Sequence, residues 1–179
     1  YGVPVFVENR IARSPESVDD TAARALAALL ALGGVAMILC GAAAIAVAGP
    51  GWGAGDSMLY LLLGPTILFQ NINALRLAML NGTGRHGAAA GLRIRRRVVF
   101  LVTTLVLCMA RLPVPLLAGA FLLSQMVTVG MGRKTVKLPA VSAILAGRKH
   151  ISRVMDSGRA FLFTDNLLDV VFYLSLIHI

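Results

Sequence analysis

Long apolar runs alternate with short polar breaks along the whole of this sequence. A helix needs about 20 apolar residues to cross a bilayer. We therefore predict spans at 21–48, 58–80, 92–111 and 115–131, with Pro65 kinking the second. The third reaches span length only if the arginines at its start extend to the headgroups. The pattern predicts an all-α, polytopic transmembrane helix bundle.

The segments outside these four spans complete the predicted organisation. Residues 1–20 read as the end of a truncated helix and a loop, 132–159 as a basic connection, and 160–173 as the start of a fifth span. The last six residues, 174–179, match the translation of a sequencing adapter. We therefore expect the native residues of this chain to end near Tyr173 and the six that follow to be foreign to the protein. The chain is thus expected to be a fragment of a longer protein.

The positions of the basic residues predict an orientation. The chain carries 17 Lys and Arg against 8 Asp and Glu, a net charge of +9, yet only 14% of its residues are charged. Apart from Arg76 and Arg111, every Lys and Arg falls on one side of the predicted bundle. Because basic loops stay in the cytoplasm, we predict that this side is cytoplasmic. We expect these cations to attract anionic membrane lipids and not nucleic acid.

Polar side chains within the second span require an explanation, because each is costly at bilayer depth. Gln70, Asn73 and Arg76 are three residues apart and share one helical face. In one interpretation Arg76 extends to the headgroups while the amides join helices. In the other, this face is the positively charged wall of a cavity that binds an anionic substrate.

An acidic pair occurs in the last segment, where Asp165 and Asp169 are four residues apart. Such a pair can bind Na⁺, carry a proton, or pair with a basic residue such as Arg76. Asp165 also fits the start of a helix near the cytoplasmic interface. We treat the two residues as a candidate ion-coupling or charge-pair site.

We find no residue pattern for catalysis, a metal or a cofactor. His86 and His150 are isolated, and Cys40 and Cys108 each lie alone in an apolar run. The Gly-Thr-Gly-Arg sequence at 82–85 lacks the Lys-Ser/Thr of a phosphate-binding loop. We therefore predict that the chain is not an enzyme.

Four segments carry a resemblance to a known family. They are Tyr1–Arg13 (YGVPVFVENRIAR), a Pro65-containing helix that ends in Leu80–His86 (LNGTGRH), Ala120–Gln125 (AFLLSQ) and Arg159–Asn166 (RAFLFTDN). In this order they resemble a bacterial oligosaccharide or polysaccharide flippase of the multidrug/oligosaccharidyl-lipid/polysaccharide exporter superfamily. The fragment would then run from the end of helix 2 to the start of helix 7.

The resemblance implies a function and a location. The full-length protein would be a monomeric transporter of twelve to fourteen helices in the bacterial cytoplasmic membrane. It would flip a lipid-linked oligosaccharide of the undecaprenyl-pyrophosphate type by alternating access, with the pyrophosphate at Gln70, Asn73 and Arg76. Asp165 and Asp169 would couple transport to Na⁺ or H⁺. The alternatives are a cation-coupled multidrug antiporter of the same superfamily and a membrane enzyme of cell-surface polysaccharide assembly.

Overall fold

The computed structural model describes residues 2–14, 16, 18–48, 54–111 and 115–139. All regular structure within these residues is helical, which confirms the predicted all-α class. The helices are α1 (Gly2–Arg13), α2 (Val18–Val47), α3 (Ala54–Gly82), α4 (His86–Met109) and α5 (Pro115–Gly132). The predicted spans at 21–48, 58–80 and 115–131 coincide closely with α2, α3 and α5.

The break between α3 and α4 is shorter than the loop, 81–91, expected between the predicted spans at 58–80 and 92–111. Gly84 adopts a left-handed conformation, with φ at +73°. Its N–H donates to Asn81 O at 2.9 Å, and the Arg85 N–H donates to Leu80 O at 2.8 Å. These two bonds form a Schellman motif, which ends a helix at a glycine. Because α4 then begins at His86, most of the expected loop is helical, and the predicted span at 92–111 lies largely within this longer helix.

Helix α3 contacts each of the other four described helices. Its closest approach to α2 depends on two glycines. A Cβ on Gly64 would lie 3.1 Å from Met37 Cα, and one on Gly33 would lie 2.7 Å from Leu68 Cδ1. Since small residues let helices approach closely, these two positions set the α2–α3 distance.

Helix α1 packs against both α2 and α3. Val3, Val7 and Ile11 repeat every four residues and are buried, which places them on one face of α1. They join a core cluster that includes Leu26 of α2 and Leu75 of α3. The three helices α1, α2 and α3 therefore share one apolar core.

Among the described residues, two helices are long and apolar enough to cross a membrane, namely Val18–Val47 and Ser57–Gly82. The apolar part of α5, Leu116–Gly132, is shorter. The outward side of α2 is apolar and open, with Ile38 73% and Ile45 79% exposed. Length and composition thus support membrane association for α2 and α3.

Replacing Gly64 with leucine should destabilise the α2–α3 contact. The new side chain meets the backbone of Met37, which cannot rotate away, and overpacking of this kind costs about 1–3 kcal/mol. We expect a lower midpoint in thermal unfolding of the purified protein in detergent. Gly34→Leu is the matched control, since a Cβ at Gly34 has no atom within 4 Å. Equal losses in the two variants would show that the close contact at Gly64 is unimportant.

Candidate functional site: polar contacts between α3 and α5

Buried polar side chains occur on both α3 and α5, which pack against each other. They include Thr66, Asn73 and Arg76 on α3, and Ser124, Gln125 and Thr128 on α5. Unpaired polar groups are costly in an apolar environment, so each of these side chains needs a partner. The partners decide which of them are free to bind anything else.

Asn73 joins the two helices. Its Nδ2 donates to Gln125 O at 3.1 Å and to Gln125 Oε1 at 2.8 Å. The two residues are only 3% and 1% exposed, respectively. Both N–H groups of the Asn73 amide are therefore committed to α5, and this side chain positions α5 against α3.

The two hydroxyl groups of α5 bond within their own helix. Ser124 Oγ donates to Phe121 O at 2.7 Å, and Thr128 Oγ1 donates to Ser124 O at 2.7 Å. Bonding to a carbonyl of the preceding turn is the usual way for Ser and Thr to be satisfied inside a helix. Their hydrogens are thus used locally.

Arg76 binds the last turn of α5. Its side chain is 2% exposed, and Nη1 donates to Val129 O. That carbonyl belongs to the end of the helix, where carbonyls lack intrahelical partners. The Arg133 N–H, which could have reached it, donates instead to Gly130 O at 3.3 Å. A cation is also favourable here because the C-terminus of a helix carries a partial negative charge.

A glycine makes room for this contact. A Cβ on Gly132 would lie 2.6 Å from Arg76 Nη1 and 3.1 Å from Arg76 Cδ. The guanidinium therefore lies directly against the backbone at the end of α5. Gly130, two residues earlier, has open space where its Cβ would be.

The Arg76 charge is only partly compensated. No carboxylate of the described residues forms a salt bridge with it, and the acid Asp20 of α2 pairs with Arg24 of the same helix. Arg76 Nε is buried without a hydrogen-bond partner among those residues. The positive charge of Arg133 acts on Arg76 as well. Because a buried charge without a counterion costs several kcal/mol, the site favours an anion.

The other predicted site residues have different surroundings. Gln70 is half-buried on α3, one turn before Asn73. Asn71 is buried with its Nδ2 unpartnered among the described residues, but it lies on another face of the helix. Asp165 and Asp169 lie outside the described residues. The structure thus brings Asn73 and Arg76 together against α5.

Sequence reasoning did not identify the α5 side of this contact. Ser124, Gln125 and Thr128 are polar residues at helical spacing within an apolar run, and that signal was available. The two residues of α5 that contact Arg76 carry no such signal. Val129 contributes a backbone carbonyl, and Gly132 contributes the absence of a side chain.

Comparisons of the chain with protein families, with curated proteins and with solved structures find no match. The flippase resemblance accordingly stays a prediction from the sequence. In the part of the chain that the structure describes, no group of three or more His, Cys, Asp or Glu is arranged to hold a metal ion.

The Asn73–Gln125 contact should appear as an energetic coupling. We expect Asn73→Ala and Gln125→Ala each to destabilise the protein, and the double variant to lose less than the sum. Hydrogen bonds between membrane helices give coupling energies of roughly 0.6 kcal/mol, with a maximum near 1.7 kcal/mol. Unfolding in mixed detergent micelles measures all three variants.

The control cycle pairs Gln125→Ala with Thr103→Ala. Thr103 Oγ1 donates to Val99 O within α4, so its loss should add independently to that of Gln125. Additive losses in the Asn73 cycle as well would contradict a direct bond between the two amides.

Proposed function

We propose that the chain is part of a membrane transporter that moves a lipid-linked, anionic oligosaccharide across the bacterial cytoplasmic membrane by alternating access. The observation that carries the proposal is the buried Arg76, which has an unpartnered Nε and no carboxylate partner among the described residues. A pyrophosphate supplies both the missing acceptor and the missing negative charge.

The exposure of the apolar helices supports the membrane part of the proposal. The core helix of a water-soluble protein is mostly buried, whereas only 11% of the apolar window of α2 and 28% of that of α3 are buried. On soluble proteins, large exposed apolar faces mark interaction sites or promote aggregation. A bilayer, together with further helices of a larger bundle, keeps such apolar faces away from water.

The contacts assign different roles to the three predicted site residues. Arg76 provides the charge for the substrate, and half-buried Gln70 provides a neutral donor on the other flank of Asn73. Asn73 itself is committed to Gln125 and holds α5 in place. In alternating access, the Arg76–Val129 contact is the one a phosphate would compete with.

The local charge favours an anionic substrate over the cationic substrate of a multidrug antiporter. That alternative depends on Asp165 and Asp169, which lie outside the described residues. Near Arg76 the described charge is positive, and Arg133 adds to it. A membrane enzyme of polysaccharide assembly would need a catalytic group, and no described contact of Arg76 involves one.

Replacing Arg76 tests the proposal. The full-length protein is reconstituted in proteoliposomes with a fluorescent, pyrophosphate-linked oligosaccharide lipid, and flipping is followed by quenching from outside. We expect Arg76→Gln to reduce transport at low substrate roughly 10- to 100-fold, because charged hydrogen bonds contribute about 1.5–3 kcal/mol. Glutamine removes the charge and is too short to reach Val129 O as Nη1 does, so membrane insertion and unfolding of this variant are measured beside its transport.

Two further variants separate substrate binding from stability. Arg76→Lys retains the charge and should keep part of the activity, and Arg13→Gln removes an exposed charge from α1 and should change nothing. Gly132→Ala pushes on the guanidinium and should impair transport, whereas Gly130→Ala should not. Full transport by Arg76→Gln would remove this residue from the substrate site.

A further inference from the structure

Helix α4 presents an exposed apolar stripe along its outer side. Ile94, Val98, Leu101, Leu105 and Met109 recur every three or four residues and are between 51% and 85% exposed. The spacing places them on one face of the helix. The opposite side of α4 is packed against the rest of the protein.

The packed side of α4 is identified by its contacts. Ala89 and Leu92 are buried in a cluster with Leu80 of α3. Further along, the Phe100 ring meets the Phe121 ring of α5 edge to face, with 5.6 Å between ring centroids. The apolar stripe is thus the side of α4 that the described residues leave uncovered.

Exposed arginines border this stripe at one end. Successive helical residues are rotated by about 100°, so Arg95 lies to one side of Ile94 and Arg93 to the other. Arg97 lies one turn beyond Arg93 on the same side. Arg93, Arg95 and Arg97 are all exposed. The surface therefore combines an apolar strip with cations on both flanks.

The chain provides little negative charge to balance these arginines. Helix α4 contains no Asp or Glu, and no described carboxylate forms a salt bridge with Arg93, Arg95 or Arg97. The whole sequence has 17 Lys and Arg against 8 Asp and Glu. Negative charge from outside the chain must accompany most of the excess.

We propose that the outer side of α4 is a binding surface for anionic bilayer lipids. The apolar stripe, Ile94 to Met109, lies among acyl chains, and the guanidinium groups of Arg93, Arg95 and Arg97 bind lipid phosphates at the headgroup level. Long basic side chains reach headgroups in this way while their stems stay on apolar surface. Basic clusters next to a membrane attract anionic lipids. The proposal requires the membrane location but not the transport activity.

Lipid selectivity is the measurement that tests this surface. The full-length protein is reconstituted in phosphatidylcholine bilayers, and trace spin-labelled phosphatidylglycerol or phosphatidylcholine reports the fraction of immobilised lipid. We expect phosphatidylglycerol to be preferred by about threefold or more in the native protein. In the combined variant Arg93→Gln, Arg95→Gln, Arg97→Gln the preference should fall close to one.

Matched variants distinguish lipid binding at this surface from a general effect of the protein's positive charge. Arg10→Gln, Arg13→Gln, Lys137→Gln removes three exposed charges elsewhere and should keep the preference, as should the combined replacement of the three α4 arginines by lysine. An equal fall in the control, or an unchanged preference in the glutamine variant, would overturn the proposal.

Two further measurements address a triple variant that fails to reconstitute and a site that binds soluble phosphate. If the triple variant does not reconstitute, the single variants Arg93→Gln and Arg95→Gln should each lower the preference, and constant values would overturn the proposal. Inorganic pyrophosphate should not displace the spin-labelled lipid; displacement would indicate a site for soluble phosphate instead. All of these assays run without transport substrate, so they can fail or succeed independently of the flipping assay.

Discussion

Burial of the Arg76 charge is the constraint on which the arrangement of α3 and α5 depends. An arginine inside an apolar helix needs acceptors, and the end of α5 offers a free carbonyl and a partial negative charge together. This requires α5 to end beside Arg76, and it requires a glycine at position 132. One turn away, Asn73 and Gln125 bond to each other. The two contacts together fix how far α5 extends along α3.

The structure uses a second kind of contact on the opposite side of α3. There, α2 approaches closely at Gly33 and Gly64, and α1 adds a buried apolar face. Close packing of this kind depends on shape, whereas the contacts with α5 depend on directed hydrogen bonds. Because α3 takes part in both, it connects the group α1–α2–α3 to α5, and α5 packs in turn against α4.

The sequence was sufficient for the helices and for the shared face of Asn73 and Arg76, because both follow from helical spacing. It also contained the signal that ends α3, the glycine at position 84, but the predicted third span begins at 92 and so misses the first turns of α4, which begins at His86. The acceptor for Arg76 could not be predicted. Whether Val129 O is free depends on the direction of the Arg133 N–H, which is decided only when α5 ends. Local spacing carries no information about that choice.

The division of α4 into a basic half and an apolar half would have a consequence for a bilayer around the proposed transporter. The segment Val98–Met109 covers about 18 Å along the helix axis at 1.5 Å per residue. The hydrocarbon core of a membrane is about 30 Å thick. In the proposed membrane location, an apolar segment this short would draw the bilayer thinner around α4. In the proposed transporter, a polar headgroup carried beside α4 would then cross a shorter hydrocarbon path than one carried beside α2 or α3.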